Sequence, residues 1–110
     1  MAYDEQLAER LREAVAGEPG ITEKRMFGGV AFLADGNLAV AASSQGGLML
    51  RCDSGQSTAL LEEAGVTRVE MRGREMDGWL RVESEAVVGE AELQRWLAIG
   101  IARARSLPAK

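Results

Sequence analysis

The chain has 110 residues, 46% of them hydrophobic, enough for one domain (residues 1–110) with its own core. Its 17 acidic residues against 13 basic ones leave a net charge of −4, the wrong sign for a broad phosphate-binding face, so direct nucleic-acid binding is not expected. There is no histidine; that removes the usual general base at neutral pH, the commonest zinc ligand and the partner of a Ser or Cys nucleophile. No catalytic residue, cofactor or metal is expected.

The start, Met1-Ala2-Tyr3-Asp4-Glu5, lacks the basic opening and apolar run of a secretion signal, and no segment has the roughly 20 apolar residues of a membrane span. The single Cys52 excludes an internal disulfide and suits a reducing compartment. Together these point to the cytoplasm. Tyr3, Leu7, Leu11, Ala14 and Val15 recur at helical spacing and predict a helix over residues 4–16, with Asp4 as N-cap and Gly17 and Pro19 as the stop. Two short apolar runs, 30–34 and 38–42, flank Asp35-Gly36, the strongest short hairpin signal. Residues 43–47 make the next turn, and 48–52 return as a strand in which Leu48, Leu50 and Cys52 face one way and Met49 and Arg51 the other. Residues 22–27 form a further strand or an extended lead-in, and Gly28-Gly29 reads as a bulge or tight bend.

Asp53 or Ser54 caps a short helix over 56–64. Residues 66–72 read as a strand, 73–78 as a turn and 79–83 as the partner strand. The last helix carries Leu93, Trp96, Leu97, Gly100, Ile101 and Ala104 on one stripe and is stopped by Pro108. Gly100 sits in that stripe where a missing side chain lets the helix approach the sheet. The order is α-β-β-β-α-β-β-α: a two-layer α+β domain with an antiparallel sheet of five or six strands.

Five blocks carry a resemblance. They are Arg25-Met26-Phe27-Gly28-Gly29-Val30-Ala31-Phe32, Asn37-Leu38-Ala39-Val40, Gly47-Leu48-Met49-Leu50-Arg51, Met71-Arg72-Gly73-Arg74-Glu75-Met76-Asp77-Gly78-Trp79 and the ending from Gly100 to Lys110. In this order, and over nearly the whole chain, they resemble the TfoX (Sxy) N-terminal domain family. The resemblance implies an antiparallel α+β fold similar to that of secretion chaperones, and a regulatory role without agreed catalytic residues. The family's regulator acts in natural competence, with the cyclic-AMP receptor protein at competence promoters, and carries a second domain; this chain looks like a stand-alone N-terminal type.

Alternation leaves one sheet face apolar, through Leu48, Leu50, Cys52, Val69, Met71, Leu80 and Val82. The other face then shows Met49, Arg51, Arg68, Glu70, Arg72, Trp79 and Arg81 on an uncovered sheet. A tryptophan among arginines is the composition of an interaction surface, and Met49, Arg51, Arg72, Trp79 and Arg81 are the expected contact residues, for a protein partner or a second copy in a homodimer. The competing reading is a local cation–π cluster with no partner. Arg25, Arg72 and Arg74 form an alternative anion or small-molecule sensor site. Against it, four arginines from Arg68 to Glu83 meet four acids, Glu70, Glu75, Asp77 and Glu83. The cations at the C-terminal end, Arg95, Arg103, Arg105 and Lys110, complement the helix dipole and need no phosphate; a weak nucleic-acid-binding transcriptional co-regulator is the third and least favoured reading.

Overall fold

The computed structural model describes residues 5–26, 29–43, 46–71 and 73–108, and among these the side chains of all but Met26, Ser54, Met71, Glu75, Met76 and Asp77. The elements are α1 (Glu5–Ala14), β1 (Ile21–Met26), β2 (Gly29–Ala34), β3 (Asn37–Ala42), β4 (Leu48–Arg51), α2 (Ser54–Leu60), β5 (Val66–Met71), β6 (Arg74–Val82), a 3₁₀ turn Ser84–Val87, and α3 (Glu90–Arg105). The lead-in to the meander is a full strand, and the sheet is six-stranded and antiparallel in the order β1-β2-β3-β4-β6-β5. This is the α+β architecture that the patterning implies.

Local chemistry accounts for the punctuation. Asp35 and Gly36 take φ +53° and +85°, the two positive values that a type I′ turn requires. Asp53 is the N-cap of α2, its carboxylate accepting from Gly55 N at 2.9 Å. The expected Asp4 cap lies outside the described residues, as does Gly28 of the expected bend. Several boundaries differ from the sequence reading. α1 ends at Ala14 and α2 at Leu60, each a few residues early, and β6 begins at Arg74 rather than after a turn over 73–78.

The register builds the helix-side face as two rows. One is Val30, Ala42, Leu48, Val82 and Val66; the other is Phe32, Val40, Leu50, Leu80 and Arg68. Leu7, Leu11 and Val15 of α1, Leu60 of α2, and Leu93, Trp96, Leu97, Ile101 and Ala104 of α3 close over these rows as the main core. Cys52 lies in it as a small buried hydrophobe, as expected from its apolar surroundings. α3 comes closest at Gly100, where a β-carbon would sit 2.3 Å from the Ala39 carbonyl oxygen. Asn37, buried at the start of β3, donates to Pro108 O at 2.9 Å and to Ala104 O at 3.4 Å. It ties the start of β3 to the end of α3 and to the residues just beyond it.

The other face corrects the sequence reading in two respects. Val69 is on it, not with the main core, and Arg68 is opposite Leu80 on the helix side. Between the pairs Arg68↔Leu80 and Glu70↔Glu75 one β5 residue faces four of β6, an irregularity that period-two counting does not foresee. Nor is this face bare. Ala31, Leu38, Ala41, Met49 and Val69 are buried in a second cluster, against which Leu33 and Trp79 pack. Its described members all come from strands.

Candidate interaction surface

β4 and β6 run side by side with Arg51 opposite Trp79 and Met49 opposite Arg81. Directly opposed residues of an antiparallel pair point to the same face, so the register brings all four together on the face away from the helices. The Arg51 guanidinium carbon stands 5.4 Å from the centroid of the Trp79 ring, a cation–π distance. Arg81 donates from Nη2 to Gly46 O at 3.2 Å, which ties β6 to the turn before β4. Arg51, Trp79 and Arg81 are half-buried. Each keeps part of its side chain in solvent. Trp79 lies outside the main core, which is filled instead by Trp96.

Met49 is the exception. It is 5% exposed, so it fills the second cluster rather than displaying itself. Arg72 lies outside the described residues. The described part of the surface is therefore Arg51, Trp79 and Arg81, with Trp79 packed against the cluster that holds Met49 and Val69.

Two of the three residues of the alternative anion site, Arg25 and Arg74, lie on separated strands. Arg25 is exposed on β1 opposite Val30, and Arg74 is exposed at the start of β6 opposite Met71. Strands β2, β3 and β4 stand between the two. Two clefts elsewhere have their cations engaged. One of about 230 Å³ is lined by Gln6, Leu7, Arg10, Ser84, Val87 and Val88. There Arg10 donates to Val87 O at 2.8 Å and Val88 O at 3.1 Å and faces Glu90 at 4.0 Å. A second, also about 230 Å³, contains Arg12 and Glu23, joined by a bidentate pair with both contacts at 2.7 Å.

The electrostatics are those of structural pairs. The Arg12 guanidinium hydrogen-bonded to Glu23 holds that carboxyl below the usual range, and Arg95 does the same to Glu63. Burial pushes the Cys52 thiol up, away from the reactive thiolate. Among the described residues no group of three His, Cys, Asp or Glu is placed to hold a metal ion, and no helix is long and apolar enough to cross a membrane.

Sequence reasoning overlooked Asn37 and Arg10. Asn37 carried a usable signal, a lone amide opening an otherwise apolar strand. Arg10 had none, because its carbonyl partners lie 77 and 78 residues away.

Comparison with curated proteins and with solved structures gave no match. A family model described as the TfoX N-terminal domain matches residues 13–104. That span runs from the last turn of α1 to the penultimate residue of α3 and takes in the whole sheet. It covers most of the 110-residue chain, and the chain belongs to the TfoX N-terminal domain family.

Proposed function

We propose that this domain is a non-enzymatic, cytoplasmic regulatory module that acts by binding another protein through the Arg51–Trp79–Arg81 surface. The TfoX N-terminal domain is a regulatory family rather than an enzyme family. The observation that carries the reading is the half-exposed Trp79 ring under the Arg51 guanidinium, on the sheet face that no described helix covers. Aromatic and arginine side chains held on a rigid sheet lose little entropy when a partner desolvates them, which is why they dominate binding energy at interfaces. With a net charge of −4, any effect on transcription, competence promoters included, runs through a protein partner that itself contacts DNA. The sensor reading finds no support in the separation of Arg25 from Arg74.

Quantitative affinity capture from the native host tests this. Wild type, Trp79→Ala and Arg51→Glu chains serve as baits, each first shown to be folded by circular dichroism. Proteins held by the wild type and lost from both variants are the expected result. Equal capture by all three would refute the surface.

A further inference from the structure

The sheet has two edges, and they are built differently. β1 and β5 each pair with a single neighbour. β1 reads Ile-Thr-Glu-Lys-Arg-Met, and Glu23, Lys24 and Arg25 at its middle are all exposed. Two copies pairing antiparallel about a two-fold axis normal to the sheet must place a residue opposite itself on the axis, or one of equal parity, because opposed residues share a face. On β1 the registers centred on Glu23 and Arg25 oppose like charges on the axis, and the one centred on Lys24, although it sets Glu23 against Arg25 of the second copy on both sides, opposes Lys24 to Lys24 at its centre, so none of the three has an apolar centre. Like charges directly opposed disfavour pairing, which is how natural edges are protected.

β5 reads Val-Thr-Arg-Val-Glu-Met. Its central registers are not equivalent. Arg68 on the axis opposes two arginines, and Glu70 opposes two glutamates. Val69 on the axis sets Val69 against Val69 of the second copy. It also sets Arg68 against Glu70 of the second copy on both sides of the axis, and Thr67 against Met71 of the second copy. This register alone among these three combines an apolar centre with complementary charges.

The backbone agrees. Glu83 N donates to Gly65 O at 2.9 Å, so Gly65 turns its backbone toward β6. Val66 N donates instead to Glu63 O, away from β6. Alternation then turns the N–H and C=O of Arg68 outward, and those of Glu70 with them. These are the groups that the Val69-centred register would hydrogen-bond across the axis. The side chains agree too. Val69 is the outermost member of the second cluster, so pairing at β5 would fuse the two copies' clusters into one apolar strip and set the two Trp79 surfaces side by side.

We infer that β5 is a self-association edge, by which two copies of this chain join antiparallel with Val69 on the two-fold axis and Arg68 paired with Glu70 of the second copy. This goes beyond the Trp79 surface and does not rest on it.

Charge reversal tests the register. Sedimentation equilibrium of the wild type is expected to show the mass rising with concentration from 11.8 kDa toward twice that value. Arg68→Glu alone and Glu70→Arg alone each convert both cross-axis pairs to like charges and should weaken the dimer roughly tenfold or more. Mixing the two variants restores opposite charges at both pairs, so the mixture should form a heterodimer at wild-type strength. A second measurement needs no substitution: hydrogen exchange at the Arg68 and Glu70 amides should slow as wild-type concentration rises. A wild type that stays monomeric up to millimolar concentration overturns the inference. So do single variants that dimerise normally, a mixture that does not associate, or exchange at those amides that is independent of concentration. The Trp79 surface is judged separately, by partner capture.

Discussion

At position 100 the helix and sheet backbones come as near as they can. A β-carbon there would lie 2.3 Å from Ala39 O, 3.0 Å from Ala39 C and 2.8 Å from Val40 Cγ1. Two of these atoms are backbone of a central strand and cannot step aside. Gly100→Ala therefore sets two effects against each other: alanine favours a helix interior by about 1 kcal/mol, while overpacking of this kind costs about 1–3 kcal/mol. The distances decide for the clash. α3 must lift from β3, loosening Leu97 and Ile101 on either side. The expected outcome is a lower urea midpoint with an unchanged m-value, a net loss of roughly 1–2 kcal/mol. A variant as stable as the wild type, or more so, would show that the contact is slack.

Between elements, the helices are tied down by arginine contacts. Arg95 of α3 reaches Glu63, just past α2, at 2.8 Å through Nη1. Arg12 of α1 reaches Glu23 of β1 at 2.7 Å. Arg105 of α3 donates to Pro19 O at 2.9 Å in the loop before β1. The arginine hydrogen bonds lower the pKa values of Glu63 and Glu23 from the ordinary 4.5. A carboxyl whose folded value is depressed stabilises the fold above its unfolded value, and that contribution is lost as pH falls through the folded one. The side chains of Glu63 and Arg95 are 37% and 41% exposed, so solvent screens the pair and it is worth no more than about 1 kcal/mol. Glu63→Gln is expected to cost that much at neutral pH. The gap from the wild type should close as pH drops below 4.5, and should also shrink in high salt. A gap that persists in acid would assign the loss to packing instead.

The same scale shows what the chain reveals by reading. The Asp35-Gly36 hairpin, the alternation in β4 and the stripe on α3 were all legible, because each depends on residues within a few positions of one another. Val69 and Met49 were not. Alternation tells which residues of a strand share a face, but not which face meets the helices. In β5, Val66 and Val69 offer an apolar residue of either parity, and only the pairing with β6 decides. Met49 was placed on the correct face, yet its burial depends on Ala31, Ala41 and Val69 from three other strands. The Arg51–Trp79 pair was legible as a composition, and the register of β4 on β6 turned it into a contact.

For the molecule as a whole, one sheet separates two apolar clusters of unequal size. The main one carries Trp96 at 1% exposure, and the smaller one carries Trp79 at its margin. The strands belong to both: Phe32 and Val40 point into the main core, while their neighbours Ala31 and Ala41 point into the other. Losing the helix layer would expose one face of every strand and strip the sheet of most of its buried area. The second cluster has no helix among its described members to hold it afterwards. It should therefore have no stability of its own, and the domain should unfold in one step, as small domains usually do. The two tryptophans allow a direct check. In a Trp96→Phe chain, Trp79 fluorescence reports the smaller cluster; in a Trp79→Phe chain, Trp96 reports the main core. Each is compared with the far-ultraviolet dichroism of the same chain in urea. Coincident transitions within each chain are expected. If Trp79 fluorescence changes at lower urea than the dichroism of its own chain, the second cluster opens separately, and the interaction surface rests on a part of the sheet that loosens before the core.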